Sequence, residues 1–333
     1  MRVLVTGSTG MLGRDVALAL ADRGDQVTVL QRHPAGLGLR EVLTDISDAQ
    51  SVRAAASNQD AVIHLAAKVN VIGPKAEYQR VNVQGTRAVV NACVAAGVRR
   101  LVHVSSPSVA HSGTALIGRG ADPANPVAAV GPYARSKAAA ELIALGADRG
   151  QLAVVAIRPH LVWGPGDTQL VARVVERADR GRLPLIGSGA ALIDSTYVVN
   201  AVEALLAALD RCVEARGQAL VVTNGEPLPI AELLAAVCRA AGAPEPKRHV
   251  PVQLARAGGT LVESLWTWTR GLRAADNGAD PPLTRFLVEQ LSTAHWFDQR
   301  ATRQVLQWQP RVTLDEGFAE LQRWYSSLPR TGS

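Results

Sequence analysis

Cysteine and aromatic residues are scarce in this chain, and their scarcity narrows what the protein can be. The 333 residues include three cysteines, Cys93, Cys212 and Cys238, which are widely spaced and lie among alanines and valines. An odd number of such residues does not suit a disulfide framework, so the pattern predicts reduced core thiols in a cytoplasmic protein. The seven histidines show no metal-ligand spacing, and no metal site is predicted.

Long apolar runs and blocks of basic residues are also lacking. No stretch approaches the about 18 uninterrupted apolar residues of a membrane span, and the apolar N-terminal run passes into a glycine turn at Gly7, which excludes a signal peptide. The net charge is +6, but the 31 arginines are scattered. We therefore expect no nucleic-acid partner, because a cleft for an anionic cofactor explains the same sign of charge.

What the chain does contain is an alternation of strands and helices. Val3 to Thr6 is predicted as the first strand and Arg14 to Asp22 as the first helix. Further strands are predicted at Gln26–Gln31, Ala61–Leu65, Leu101–Ser105, Ala153–Ile157 and Leu220–Thr223, and further helices at Ala49–Ser57, Gly85–Ala96 and Ala201–Leu209. This order predicts an α/β fold with a Rossmann-type doubly wound parallel sheet and right-handed crossovers.

The domain organisation follows from where this alternation weakens. Residues 1–165 are predicted to form the dinucleotide-binding domain, with 193–224 returning to it. Residues 225–330 are predicted to form a smaller, mainly helical substrate lobe, to which 166–192 contribute. The segment Pro107 to Pro132 has no helical or strand period and is predicted as a long loop, which in a compact domain is usually functional.

Three glycines follow the first predicted strand. Gly7, Gly10 and Gly13 allow a tight turn, a close backbone approach to a pyrophosphate and close packing of helix on strand. The helix that follows supplies amide donors and a positive dipole. The sequence therefore predicts a dinucleotide site, with a purely structural turn as the alternative.

The end of the second strand bears on which dinucleotide binds. The strand ends Leu30-Gln31-Arg32-His33, without the acidic residue that commonly binds the ribose of NAD. Arg32 can form charge-assisted bonds to a 2′-phosphate, which favours NADP(H). The alternative is that Arg32 is a solvated loop residue and Gln31 binds the ribose of NAD(H). Asp45 is predicted to meet the adenine. Its alternative role is the N-cap of the next helix, for which Ser47 or Asp48 is better suited.

Tyr133 and Lys137 stand four residues apart, on one face of a predicted helix. A tyrosine hydroxyl has a pKa near about 10 and becomes a proton donor and acceptor at neutral pH when a cation lies close by. Ser106, at the end of a predicted strand with Ser105 as its structural neighbour, can donate to a substrate carbonyl oxygen. The alternatives are a surface pair on a helix and two turn serines.

At these residues the chain resembles the extended short-chain dehydrogenase/reductase superfamily. The resemblance is carried by Thr6–Gly13, His64–Ala67, Asn82–Thr86, Val104–Ser106, Tyr133–Lys137, Arg158–Pro159 and Gly164–Asp167. It implies that Tyr133 is the general acid/base, that Lys137 holds the nicotinamide ribose and lowers the tyrosine pKa, and that Ser106 polarises the carbonyl. It also implies that Asn82 belongs to a helix bend and a water relay, although a plain helix N-terminal residue is an equal reading, and that the protein is a homodimer.

The residues expected at the site form two sets. Those expected to bind the cofactor are Gly7, Thr9, Gly10, Met11, Leu12, Gly13, Gln31, Arg32, Asp45, Ile46, Leu65, Ala66, Ala67, Lys137 and Pro159, the last of which borders the nicotinamide. Those expected to contact the substrate are Ser106, Ser108, Tyr133, His160, Val162 and Trp163.

Within the superfamily the chain looks most like the 3β-hydroxysteroid dehydrogenase-like branch and is similar to the reductases of 2-alkyl-3-oxoalkanoic acids. This likeness is carried by Pro281–Phe286, His295–Asp298 and Leu306–Pro310. The expected function is an NADP(H)-dependent oxidoreductase that interconverts a secondary alcohol and a ketone on a bulky apolar substrate, a 3β-hydroxysteroid or a long-chain 3-oxo or 3-hydroxy acid. The alternatives are a nucleotide-sugar epimerase or dehydratase with tightly bound NAD, and a non-catalytic NADP-sensing protein, against which the Tyr/Lys pair argues.

Two further features lie towards the C-terminus. Asn200 stands where relatives commonly have Asp and is predicted to cap the helix that follows it. Residues at roughly helical spacing form an amphipathic stripe that suits core packing, a dimer face or peripheral membrane contact, while Trp266 and Trp268 suit an apolar pocket. The stripe consists of Leu254, Leu261, Leu265, Trp268 and Leu272.

Overall fold

The structure is a computed structural model that describes residues 1–69, 73–259, 262 and 285–328. Its strands are β1 Arg2–Thr6, β2 Gln26–Gln31, β3 Arg40–Leu43, β4 Ala61–His64, β5 Arg100–Val104, β6 Leu116–Arg119, β7 Ala153–Pro159, β8 Val162–Trp163, β9 Leu185–Ile186, β10 Leu192–Ile193, β11 Thr196–Tyr197, β12 Ala219–Val222, β13 Leu228–Pro229, β14 His249–Val250 and β15 His295–Phe297. Its helices are α1 Met11–Asp22, α2 Ala49–Ala56, α3 Lys75–Tyr78, α4 Gly85–Ala96, α5 Gly131–Leu145, α6 Val171–Asp179, α7 Val198–Asp210, α8 Ile230–Ala241, α9 Arg285–Ser292, α10 Arg300–Leu306 and α11 Leu314–Ser327.

In the described part of the chain, seven strands form a parallel sheet in the order β12-β7-β5-β4-β1-β2-β3. The central strands are short apolar runs that are buried on both faces, as parallel strands covered by helices must be. Helices α1 and α7 pack together on one face, and α2, α4 and α5 cover the other. The predicted doubly wound sheet is therefore confirmed.

The strand order reverses between β1 and β4, which are neighbours in the sheet but distant in sequence. Open α/β sheets bind ligands in the crevice at the carboxyl ends of the strands beside such a reversal. Here Thr6 at the end of β1 and His64 at the end of β4 meet, with 2.8 Å between Oγ1 and Nδ1. The fold thus places a ligand-binding crevice directly above the glycine turn.

The segment Pro107 to Pro132 departs from its prediction. It contains a 3₁₀ turn at Pro107–Ala110 and the strand β6, and α5 already begins at Gly131. Strand β6 pairs in parallel with β15, and β15 continues through β10 to β13. The prediction of a structureless loop is wrong because the partner strand lies far along the sequence, so a four-residue strand leaves no local period.

Helices α6, α8 and α11 pack away from the large sheet, whereas α10 contacts its edge strand β12. Helix α8 contacts α6 and α11, and the short strands β9 and β14 pair beside them. Within the described residues no helix combines the length and the apolar character that crossing a bilayer requires. Of the predicted amphipathic stripe, Leu254 is exposed; the other stripe residues and Trp266 lie outside the described residues.

Two further predictions are tested by individual side chains. The prediction that Asn200 caps a helix is wrong, because α7 begins at Val198 and Asn200 lies inside it, where its Oδ1 accepts from the backbone N–H groups of Arg311 and Val312. The prediction for the thiols is confirmed, since all three cysteines are free and buried.

Candidate active site

A cleft of about 990 Å³ crosses the carboxyl ends of the parallel strands. From the set expected to bind a cofactor it is lined by Gly7, Thr9, Gly10, Met11, Leu12, Gly13, Gln31, Arg32, Asp45, Ile46, Leu65, Ala66, Ala67, Lys137 and Pro159. From the set expected to contact the substrate it is lined by Ser106, Ser108, Tyr133, His160 and Val162. The structure therefore brings together residues that span the chain from Gly7 to Val162, whereas Asn82 and Trp163 do not line the cleft.

The glycine turn is fixed by close backbone approaches. Gly7 has φ +86°, and a Cβ there would lie 2.8 Å from the backbone nitrogen of Ala66. A Cβ on Gly13 would lie 2.3 Å from the carbonyl oxygen of Gly7, whereas one on Gly10 would meet nothing closer than 3.7 Å. Gly7 and Gly13 are thus required by packing, and Gly10 keeps the backbone bare where it faces the cleft at the start of α1. The first-turn amides of α1 have no intrahelical acceptors, which suits a pyrophosphate.

Unpaired polar atoms mark the next part of the cleft. The Gln31 side chain is buried, and neither its oxygen nor its nitrogen has a hydrogen-bond partner among the described residues. Buried amides are normally paired, so this orphaned group fits a ribose hydroxyl supplied by a ligand. Arg32, the next residue, is exposed at the edge of the cleft.

Asp45 is already engaged by the protein. Its carboxylate accepts from the N–H and hydroxyl of Ser47 and pairs with Arg80 at 2.7 Å. Although burial raises the pKa of Asp45, the bonds from Arg80 and Ser47 lower it to about 2. Asp48, as one of the two alternatives anticipated, caps α2 through the N–H groups of the second and third helical residues.

Three hydroxyl groups meet where β5 ends and α5 begins. Tyr133, in the first turn of α5, lies beside Ser106, and the Oγ atoms of Ser106 and Ser108 are 3.0 Å apart. Burial raises the pKa of Tyr133, and the neighbouring Ser106 hydroxyl offsets only part of that rise. The arrangement can hold a substrate oxygen between a serine and a tyrosine hydroxyl.

Lys137 lies one turn further along α5, and its side chain is buried. Its Nζ donates to the carbonyl oxygen of Val104 at 2.6 Å. Burial lowers the pKa of Lys137 to about 8, against the opposing charge of Glu141. The ammonium is directed to a backbone carbonyl and the pKa of Tyr133 is raised by burial, so the implied effect of Lys137 on the tyrosine pKa stays a prediction.

A fully buried ion pair anchors the helix that carries Tyr133 and Lys137. Arg158 on β7 donates to both carboxylate oxygens of Glu141 on α5, at 2.9 and 2.5 Å. Each side chain is 1% exposed, and the guanidinium also donates to the carbonyl oxygen of Asp122. A bidentate pair of this kind sets both the distance and the rotation of α5 relative to the sheet.

Asn82 lies behind the cleft in a π-helical segment, Gln79–Gln84. Its side chain holds the backbone of Lys68 through two bonds and donates to Ser136 Oγ at 2.9 Å. Ser136 in turn donates to the backbone oxygen of Tyr133. Asn82 thus lies in a distorted helix, as the resemblance implied. Its side-chain hydrogen bonds are made to Lys68 and Ser136.

Trp163 does not contact the cleft, so its prediction as a substrate residue is wrong. Its side chain is fully buried, stacks on Phe318 at 4.5 Å between ring centroids and donates from Nε1 to Ser195 Oγ. The cause is strand alternation: Val162 and Trp163 are consecutive in β8 and point to opposite sides.

The far end of the cleft is mostly apolar. Its walls come from α6, α8, α9 and the connections around β10. The apolar lining residues are Leu170, Val174, Leu183, Ile193, Ile230, Leu233, Leu234, Val237 and Leu291. Arg173 and Arg177, one turn apart on α6, also line this end. The cleft therefore offers room for a bulky apolar group beyond the three hydroxyls.

Two histidines that were not among the predicted site residues join His160 in the wall. His111 and His295 line the cleft with it, and their Nε2 atoms are 3.3 Å apart although 184 residues separate them. Among the described residues no group of three or more potential ligands is arranged to hold a metal ion. No local signal in the sequence could have found this cluster, because each histidine stands alone in its own segment.

Comparison with families of known proteins gives one match of broad extent. A family model described as the NAD dependent epimerase/dehydratase family matches residues 3–223. The matched span contains the glycine turn, Ser106, Tyr133 and Lys137.

Individual relatives extend over nearly the whole chain. The chain is 40% identical to a 2-alkyl-3-oxoalkanoate reductase of Stenotrophomonas maltophilia, over 96% of this chain and 98% of that protein. It is 30% identical to a 3-beta-hydroxysteroid dehydrogenase of Mycolicibacterium neoaurum, over 98% of this chain and 92% of that protein. Among solved structures it is similar to MoeE5 in complex with UDP-glucose and NAD, with a TM-score of 0.75 and 28% identity over 98% of this chain and 99% of the other.

Proposed function

The chain belongs to the NAD dependent epimerase/dehydratase family, in its extended short-chain dehydrogenase/reductase branch, and we propose that it is an NADP(H)-dependent oxidoreductase. The reaction interconverts a secondary alcohol and a ketone on a bulky apolar substrate, a long-chain 3-oxo or 3-hydroxy acid or a 3β-hydroxysteroid. The observation that carries this proposal is the meeting of Tyr133, Ser106 and Lys137 in the cleft that also contains the glycine turn.

Each of these side chains has a distinct task. The nicotinamide cofactor, when bound, supplies or accepts the hydride. Ser106 donates a hydrogen bond to the substrate oxygen, and the Tyr133 hydroxyl gives that oxygen a proton during reduction and takes it back during oxidation. Lys137 holds the nicotinamide ribose, and its positive charge favours the anionic form of Tyr133 as the proton leaves. Burial alone raises the tyrosine pKa, so the protein depends on this charge to make proton transfer efficient.

The preference for NADP(H) over NAD(H) is supported by the end of β2. Gln31 is neutral and Arg32 is cationic, so a 2′-phosphate meets no carboxylate there. The unpaired Gln31 amide suits the ribose of either cofactor, and Arg32 at the cleft edge is the group that discriminates between them.

The substrate class is supported by the apolar end of the cleft and by the relatives. The 2-alkyl-3-oxoalkanoate reductase and the 3-beta-hydroxysteroid dehydrogenase are both named for substrates that carry an oxygen on carbon 3. We propose that the lobe formed by 225–330 with 166–192, including α6 and α8, receives the apolar part.

Turnover with defined substrates tests this proposal. Purified protein is assayed with NADP⁺ and NAD⁺ against 3-hydroxydodecanoate, its methyl ester and cholesterol, following absorbance of the reduced cofactor. We expect cofactor reduction with at least one of these alcohols and a higher kcat/KM with NADP⁺. Absence of cofactor reduction with every alcohol would remove the proposal.

A nucleotide-sugar epimerase or dehydratase is the second candidate. It is favoured by the similarity to the UDP-glucose complex and by the two cationic side chains, Arg173 and Arg177, that line the cleft. Such an enzyme returns its cofactor to the starting state in each cycle. Copurified NAD, binding of UDP-glucose, and conversion of the sugar without net change in the cofactor would favour it over the first proposal.

The assembly proposed for this enzyme is a cytoplasmic homodimer. Val94 on α4 and Leu142 on α5 are exposed apolar residues on the two helices that cover the same face of the sheet. Sedimentation of the wild type and of a Val94→Glu, Leu142→Glu variant tests it, and equal masses would remove this face from consideration.

A further inference from the structure

The three histidines in the cleft wall form a cluster with unusual polar atoms. The ring centroids of His111 and His295 are 5.0 Å apart, and those of His160 and His295 are 6.1 Å apart. Nδ1 of His111, Nδ1 of His295 and Nε2 of His160 are buried and have no hydrogen-bond partner among the described residues. Unpaired buried polar atoms cost about 1–3 kcal/mol each, so three together in a ligand cleft call for a partner from outside the chain.

The position of the cluster relates it to the reacting oxygen. His111 ends the short segment that begins at Ser106, and His160 directly follows Pro159 at the end of β7. His295 is brought to them by the pairing of β15 with β6. All three line the same cleft as Ser106 and Tyr133. Because His111 is five residues from Ser106 and His160 is next to Pro159, we expect a group bound by the histidines to lie near the carbon that exchanges the hydride.

We infer that His111, His160 and His295 form the subsite for a carboxylate that lies two bonds from the reacting carbon, so that the substrate is a 3-oxo or 3-hydroxy carboxylic acid. This inference rests on the proposed function and narrows its substrate class. A neutral sterol has no group that satisfies the cluster, whereas a carboxylate accepts hydrogen bonds from two imidazoles at once. The apolar end of the cleft then takes the alkyl chains.

Binding of a carboxylate to the three imidazoles is linked to the uptake of a proton. Burial lowers the pKa of His160 to about 3 and that of His295 to about 4, so the free cluster is neutral at pH 7. A bound carboxylate favours an imidazolium and raises these pKa values. At pH values between the pKa of the free imidazole and its raised pKa in the complex, binding takes up a proton. The affinity for the acid therefore increases as the pH falls through this range.

The acidic groups around the cluster set the limit of this effect. Among the described residues, Glu289 on α9 opposes the fall in the pKa of His111, and Asp194, whose pKa burial raises to about 6, donates its backbone N–H to the carbonyl oxygen of His295. Tyr133 and Lys137 are further titratable groups that line the same cleft. The charge of Glu289 repels an incoming carboxylate and favours the same imidazolium, so it reduces the size of the proton linkage and leaves its direction unchanged.

A comparison of an acid with its methyl ester tests the carboxylate subsite separately from the rest of the active site. With 3-hydroxydodecanoate and its methyl ester, we expect the wild type to prefer the acid at least about tenfold in kcat/KM, or about 1.4 kcal/mol. His160→Gln and His295→Gln should raise KM for the acid roughly tenfold and leave the ester within about twofold. His249→Gln, an exposed histidine outside the cleft, is the matched control. The acid-to-ester ratio of the wild type should rise as the pH falls.

Three outcomes would overturn the inference. Equal losses on acid and ester in the variants would assign the histidines a structural role. Equal use of acid and ester, or of cholesterol, by the wild type would keep the proposed function and remove the carboxylate subsite. If no alcohol is turned over, calorimetry with decanoate in two buffers of different ionisation enthalpy still decides: proton uptake that His295→Gln abolishes supports the subsite, and its absence in the wild type removes it.

Discussion

The two ends of the cleft are built in different ways. The cofactor end is made of backbone and short contiguous motifs: the turn from Gly7 to Gly13, the end of β2 and the residues after β4. The substrate end is made of side chains from segments far apart in sequence, so that His111 meets His295 across 184 residues. The first end follows from local chemistry, whereas the second exists only once the chain has folded.

The difference teaches where specificity lies in this protein. The bare glycine backbone and the N-terminus of α1 bind the phosphates that every dinucleotide carries. This end of the cleft therefore tolerates few substitutions. The apolar part of the substrate end is lined by side chains of α6, α8 and α9, which contribute no strand to the large sheet. Tyr133 and Lys137 on α5 lie at the junction, and the buried pair Arg158–Glu141 holds them there. The predictions below perturb the junction first and the cofactor end afterwards.

Removing the tyrosine hydroxyl should have the largest effect. In Tyr133→Phe we expect turnover to fall by roughly 10²- to 10⁴-fold, because the proton donor to the substrate oxygen is lost. Binding of NADPH, measured by fluorescence titration, should be unchanged since no cofactor contact is removed. Tyr325→Phe on α11, outside the cleft, serves as the control. A Tyr133→Phe enzyme that works at a normal rate would assign proton transfer to another group.

Breaking the buried ion pair should be nearly as costly, but in stability. Glu141→Gln leaves the Arg158 guanidinium uncompensated, and we expect the free energy of unfolding in urea to fall by about 3–5 kcal/mol. Replacing both partners together, as Glu141→Leu with Arg158→Met, should recover much of this loss. Glu176→Gln, which breaks an exposed pair with Arg180, should cost less than about 1 kcal/mol. Equal effects of Glu141→Gln and Glu176→Gln would mean that the junction is not held by this pair.

The glycine turn distinguishes a packing requirement from a ligand requirement. Gly13→Ala should lower the free energy of unfolding by about 1–3 kcal/mol, because its Cβ would overlap the carbonyl of Gly7. Gly10→Ala has room for its Cβ and should leave stability nearly unchanged while weakening NADPH binding, since the methyl group faces the cleft. Thermal unfolding with and without NADPH measures both effects. A stable Gly13→Ala protein would contradict the close packing of α1 on the turn.

The smallest expected effect concerns cofactor choice. Arg32→Ala should reduce kcat/KM for NADPH roughly tenfold, or about 1.4 kcal/mol, and leave NADH little changed. Arg53→Ala on α2, outside the cleft, is the control for a lost surface charge. Equal losses of kcat/KM with the two cofactors would show that Arg32 does not bind the 2′-phosphate. The proposed preference for NADP(H) would then have to be abandoned.

The sequence by itself determined the sheet, the glycine turn and the helix that carries Tyr133 and Lys137. Each depends on a local signal: buried β-branched runs, glycines at fixed spacing, or two side chains one helical turn apart. The strands β2 and β12 and the helices α2 and α4 were accordingly predicted to within a few residues.

Only the tertiary structure decided the rest. Strand β6 exists because β15 pairs with it, Trp163 turns away from the cleft because Phe318 on α11 receives it, and Asn200 leaves its predicted cap to bind the backbone at Val312. The histidine cluster has the same origin. In each case the free energy comes from a contact between segments distant in sequence, and no pattern within either segment records its partner.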